Sequence, residues 1–129
     1  MIGYLFSYGT LQPGRAPAEI APLVAKLWAL GEGAVRGVLY DLGDYPGALL
    51  DSSAEGTIAG SVLELPEDEG ILAELDEYEG FDPGAPEQSL FVRVPHPVTL
   101  ASGGTLVCWI YVYNRETAGV RVLNSGCCQ

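Results

Sequence analysis

Apolar and polar side chains alternate at the start of the chain, with Tyr4, Phe6 and Tyr8 set against Leu5 and Ser7 up to Gly9. Period two predicts a first strand over residues 2–8. Gln12-Pro13-Gly14 breaks the chain, and Ile20, Leu23, Val24 and Leu27 then recur at helical spacing before Gly31, with Pro22 in a first turn or at a kink. Residues 33–41 and 57–65 read as strands, each with internal glycine where a sheet can bend or bulge. Between them Gly43-Asp44-Tyr45-Pro46-Gly47 marks a turn into the short apolar piece Ala48-Leu49-Leu50.

Pro66 opens a second predicted helix, with Glu67-Asp68-Glu69 in its first turn, where negative charge suits the helix dipole. Its apolar side is Ile71, Leu72, Leu75 and Tyr78, and it should stop at Gly80 or soon after, because Asp82-Pro83-Gly84-Ala85-Pro86 cannot continue it. Residues 88–94 are β-like, 98–100 resume after the Pro95-His96-Pro97 interruption, and Ser102-Gly103-Gly104 turns the chain into residues 105–113, a central, buried strand. Residues 119–123 suggest one more edge strand. Two helices among this many strands are too few for a doubly wound sheet, so the pattern implies a mixed domain built on one curved sheet.

The 129 residues contain no linker-like tract, which predicts a single domain over 1–129. Hydrophobic residues form 48% of the chain, and seven Tyr, two Trp and three Phe can fill a core without disulfides or metals. The formal charge of −11 would repel a phosphate backbone or an anionic membrane surface, so neither nucleic acid nor membrane is expected as a partner. The amino terminus lacks the basic flank and apolar stretch of a signal peptide, and Cys108, Cys127 and Cys128 form no disulfide framework. A cytoplasmic location follows as the expectation. His96 has no second His and no Cys at ligand spacing, so no metal site is expected, and it reads as a strand-edge or turn residue.

Gly3 and Gly9 make no dinucleotide fingerprint, no P-loop is present, and no serine sits in a Gly-x-Ser-x-Gly elbow. Carboxylate chemistry remains. With Ile71 at zero and about 100° per residue, Leu75 falls at about 40°, Leu72 at about 100° and Glu79 at about 80°, inside the apolar arc. Glu74, Asp76 and Glu77 fall at about 300°, 140° and 240°, outside that arc or at its margin, and read as a solvated face. Asp68 also points inward, but in the first turn it is expected to bond free amides. Glu79 sits instead in the last turn, where the dipole disfavours negative charge and apolar neighbours should raise its pKa, as an acid-base residue requires. The alternative is a frayed helix end with Glu79 in water. A second candidate is Tyr8-Gly9-Thr10-Leu11, a strand-end turn whose glycine lets backbone amides face a ligand; taken alone it is also a common turn.

The chain resembles the gamma-glutamylcyclotransferase-like family. The matching pieces, in order, are Tyr8-Gly9-Thr10-Leu11, Tyr45-Pro46-Gly47-Ala48, the strand from Gly60 to Leu65, Leu75-Asp76-Glu77-Tyr78-Glu79-Gly80, Leu90-Phe91-Val92-Arg93-Val94 and Trp109-Ile110-Tyr111-Val112-Tyr113. It departs from the family pattern at Phe91, where Tyr is frequent, and in its Cys127-Cys128-Gln129 tail. The resemblance implies an α+β fold, a small closed mixed β-barrel flanked by helices. It implies a small-molecule gamma-glutamyl substrate cyclised to 5-oxoproline without a cofactor, Glu79 as acid-base residue, and substrate binding by backbone amides of Tyr8, Gly9, Thr10 and Leu11. The hydroxyls of Tyr45 and Tyr113 would line the pocket, with core packing the competing role for both, and Arg93 would be a structural ion-pair partner. A cavity that holds such a ligand without turnover is the alternative, and an acidic interaction domain for a basic protein is a third reading.

Overall fold

Leu5 and Phe6, adjacent in the first strand, are both buried, although neighbouring strand residues point to opposite faces. The sheet must therefore be covered on both sides there. In the computed structural model, which describes residues 3–8, 25–42, 46–54, 56–67 and 70–123, six strands account for this. They are β1 (Tyr4–Ser7), β2 (Trp28–Asp41), β3 (Pro46–Leu50), β4 (Thr57–Glu64), β5 (Phe91–Leu100) and β6 (Thr105–Tyr113), with one α-helix, α1 (Gly70–Glu79), between β4 and β5.

The strands run in the order β3-β2-β4-β1-β6-β5, and β2 also pairs with β5 through Gly33 with Leu100 and Ala34 with Thr99. That last pairing closes β2, β4, β1, β6 and β5 into a five-stranded barrel. It is mixed, because β1 runs parallel to β6 while the other pairs are antiparallel. Phe6, Val35, Ile58, Val62, Val98, Cys108 and Ile110 pack together as one cluster, the barrel interior. Leu5, Leu63, Phe91 and Tyr111 face the other way and form a second cluster with Ile71 and Leu75 of α1. Burying those two helical side chains stabilises the helix-sheet contact by roughly 1.5–3 kcal/mol each.

Glycine sets how closely the strands approach. A Cβ on Gly60 would lie 2.4 Å from the Ser7 carbonyl oxygen and 2.8 Å from the Phe6 ring, and one on Gly37 would lie 2.3 Å from the Leu49 carbonyl oxygen. β2 carries a bulge where its register to β4 shifts between Ala29 and Gly31, ahead of the stretch in which one was expected.

Several boundaries differ from the sequence expectation. β2 starts at Trp28 rather than residue 33, because residues 28–32 lie along β4 and pair with it, even though Trp28 and Leu30 are exposed. Pro95-His96-Pro97 does not interrupt the strand: β5 runs through it in register with Val107, Cys108 and Trp109. In that stretch β5 pairs only with β6 among the described residues, so the missing proline donors are tolerated at the other edge. Gln88 belongs to a 3-10 turn, Pro86–Gln88, instead of the strand. Residues 119–123 give a single bridge, Tyr40 with Val122, rather than an edge strand. The helix starts at Gly70, leaving Glu67 outside it, and Asp68, Glu69 and most of the predicted first helix lie outside the described residues.

The close approach at Gly60 is testable. Gly60→Ala should destabilise the protein by roughly 1–3 kcal/mol through overpacking against β1, while Gly31→Ala, with nothing within 4 Å of the added carbon, should change stability by less than about 0.5 kcal/mol. Urea unfolding of the two variants beside the parent measures both; equal effects would show that the β1–β4 spacing is not set by this glycine.

Candidate active site

Helix α1 ends in a defined geometry. Gly80 has φ +78°, its amide donates to the Glu77 carbonyl at 3.2 Å, and the Phe81 amide donates to the Asp76 carbonyl at 2.8 Å. This is a Schellman cap, which needs a left-handed residue and finds glycine there. It makes Glu79 the last helical residue, so the helix does not fray before the carboxyl. Glu79 is partly buried, and burial raises its pKa from 4.5 to about 7.

The rotation of the helix is fixed by Asp76. Its carboxylate accepts from Arg93 twice, Nε at 2.7 Å and Nη2 at 3.1 Å, and from the Tyr111 hydroxyl at 2.7 Å. The Arg93 guanidinium lies over the Trp109 ring, 4.3 Å from its centroid, with the Phe81 ring at 5.8 Å. Asp76 is thus buried at 5% exposure, which corrects its assignment to the solvated face. The helical angle put it at the margin of the apolar arc; what draws it inside is a pair of partners from β5 and β6, which the helix pattern cannot register. Glu74 and Glu77 are exposed, as expected, and Arg93 is an ion-pair partner, as the acidic composition suggested.

Tyr8 and Tyr111 join this helix to the barrel. The Tyr8 hydroxyl donates to the Tyr111 carbonyl and accepts from the Ala48 amide at 3.3 Å. Burial raises the pKa of Tyr8 far above the usual phenol range, and the Glu79 carboxylate adds to the rise. Tyr111 is raised by burial first, then by its bond to Asp76 and by the Asp76 and Glu79 charges, while Arg93 opposes. Glu79 is therefore an electrostatic neighbour of both tyrosines. Tyr8 uses its hydroxyl on main-chain groups of β6 and β3.

The remaining candidates divide. Tyr113 lies on the helix-facing side of β6, its ring 5.6 Å from Phe91 and next to Gly47, where an added Cβ would lie 3.1 Å from it. Phe91 is a core residue at 3% exposure. Gly9, Thr10, Leu11 and Tyr45 lie outside the described residues, as do Cys127 and Cys128. His96 sits in β5 opposite Cys108, away from Glu79 on α1. Tyr111, which holds Asp76 and Tyr8 at once, was not singled out from sequence as a site residue; it reads there as one more aromatic of an apolar strand.

The family model for gamma-glutamyl cyclotransferase, AIG2-like, matches residues 5–127. The chain belongs to this family. Similar gamma-glutamyl cyclotransferase-type chains include the gamma-L-glutamyl-butirosin B gamma-glutamyl cyclotransferase of Niallia circulans, 34% identical over 116 residues that cover 87% of this chain and 67% of that one. The solution structure of protein ytfP from Escherichia coli is 28% identical with a TM-score of 0.65, covering 95% of this chain and 93% of that one. The crystal structure of an AIG2-like mouse protein is 20% identical and shares the fold, with a TM-score of 0.72 over 95% of this chain and 86% of that one. Among the described residues no helix is long and apolar enough to cross a membrane.

The buried carboxyl makes stability depend on pH. In the folded chain Glu79 keeps its proton up to a pH of about 7, against 4.5 for an unperturbed glutamate, so between those values the folded state binds more protons and loses stability as pH rises. Relative to Glu79→Gln, the parent should lose roughly 2–3 kcal/mol from pH 4.5 to 7, with only a few tenths more lost as the folded carboxyl finishes titrating. Urea unfolding of both proteins across the range measures the difference. A flat difference would mean that burial does not hold the proton on.

Proposed function

We propose that the protein cyclises the gamma-glutamyl group of a small amide or peptide to 5-oxoproline and releases the attached amine, with Glu79 as general acid and base. The observation that carries this is a carboxyl with its pKa at about 7, partly buried at a capped helix end beside Tyr8. The family supports the reaction class, and the Niallia circulans relative, named for a gamma-L-glutamyl amide, supports the kind of substrate.

In this reading the Glu79 carboxylate takes a proton from the substrate α-ammonium, and the freed amine attacks the side-chain carbonyl of the same gamma-glutamyl group. A carbon-nitrogen bond forms and closes the five-membered ring. The carboxylic acid then returns its proton to the departing nitrogen as the original amide bond breaks, and the second proton of the ring nitrogen passes to the released amine, which leaves as an ammonium, so no group is consumed. Holding amine and carbonyl together provides much of the rate. Backbone amides of Gly9, Thr10 and Leu11, following the anchored Tyr8, would hold the substrate carboxylate or the developing oxyanion, with Tyr45 and Tyr113 lining the pocket. No cofactor enters the scheme.

Incubation with glutathione, a gamma-glutamyl dipeptide and a gamma-glutamylamine, followed by chromatographic detection of 5-oxoproline, tests the reaction. Turnover should rise through a pH of about 7, where Glu79 becomes the base. Glu79→Gln should lower it by at least about a hundredfold with the fold retained, while Glu77→Gln should leave it near the parent value. Product formation by Glu79→Gln at the parent rate would remove Glu79 from the mechanism. Binding of 5-oxoproline with no turnover of any compound would instead favour a ligand-holding domain.

A further inference from the structure

Asp76 and Glu79 are three residues apart on one helix, which places their side chains side by side. Asp76 is held by Arg93 of β5 and by Tyr111 of β6, while Tyr111 also feels the charge of Glu79. Tyr8 and Tyr111 are titratable groups that feel the Glu79 charge, and Asp76 on its own helix and Arg93 on β5 adjoin Tyr111. Arg93 is the cation in this set.

Resting on the assignment of Glu79 above, we propose that Asp76 is a positioning residue: it fixes the rotation of the last helical turn and occupies the Arg93 guanidinium, which would otherwise pair with the Glu79 carboxylate. Three observations support it. Both of the Arg93 nitrogens that bond a carboxylate are directed at Asp76, and the pair is nearly dry, with side-chain exposures of 15% and 7%. Trp109 holds the guanidinium from its face, so its orientation is set as well as its charge. Burial is the cause of the rise in the pKa of Glu79, and Arg93, engaged by Asp76, does not lower it. A guanidinium released from Asp76 would favour the ionised form of Glu79 and deprive it of the proton it must later donate.

The test is a direct titration of Glu79 by carbon NMR on protein labelled at glutamate side-chain carboxyls, with Glu79→Gln used to assign the signal. Asp76→Asn, which keeps the shape and one acceptor oxygen but leaves Arg93 unbalanced, should lower the Glu79 midpoint by about one pH unit or more, a tenfold loss of proton affinity. Arg93→Gln, which leaves Asp76 unbalanced, should raise it. The double variant Asp76→Asn/Arg93→Gln, carrying neither charge, should return it to within about half a unit of the parent. Removing one partner of a buried pair is destabilising, so thermal unfolding accompanies each titration, and either single variant that folds decides the matter. An unmoved midpoint in a folded single variant overturns the proposal. So does a double variant that folds when neither single variant does, because the pair is then a structural requirement alone. The titration needs no turnover: if the parent makes no 5-oxoproline and the midpoints still move, the reaction assigned to Glu79 fails and the role of Asp76 stands.

Discussion

The bidentate pairing of Asp76 with Arg93 is the contact on which the rest of the site depends. Packing of Ile71 and Leu75 holds α1 against the outer face of β1 and β6, but apolar contact is non-directional and tolerates rotation of a helix about its axis. Two charge-assisted hydrogen bonds to a planar guanidinium do not. Once Asp76 is engaged, the position of Glu79 three residues later follows from helical geometry, and the Schellman cap at Gly80 prevents the last turn from unwinding away from it.

The same constraint reaches into the barrel. Tyr111 gives its hydroxyl to Asp76 and its carbonyl to Tyr8, and Tyr8 in turn receives the Ala48 amide. One residue of β6 thus links the helix to the end of β1 and to β3. β1 can sit there because Gly60 lets β4 come close to Ser7, and β3 can follow β2 because Gly37 leaves room for the Leu49 carbonyl.

How much of this was legible in the sequence depends on whether the cause was local. β6 matches its expected bounds, since an apolar run closed by Gly103-Gly104 needs no outside partner to be recognised. Glu79 was legible because helix phase and helix end both act on it within a few residues. Asp76 was not, because its burial is compensated by Arg93 and Tyr111, 17 and 35 residues away in sequence. Pro95 and Pro97 misled for the same reason: a proline breaks a strand only where both edges are paired, and edge status is a property of the barrel. Gly37 and Gly60 pair in unbroken register where a bend or bulge was expected, and what they provide instead is room for a neighbouring carbonyl, which is decided by strand order.

Two carboxylates three residues apart on one helix end up with different work, and environment alone divides them. Asp76 is engaged by donors from β5 and β6, so it is spent on holding the helix to the sheet. Glu79 sits at the negative end of the helix dipole and in partial burial, both of which favour the neutral acid and bring its pKa to about 7. A side chain placed there by accident would be a pure loss of stability at neutral pH, and a glutamine would avoid it. In the proposed reaction such an acid would carry a proton between an ammonium and a leaving amine, for which a pKa of about 7 is suited.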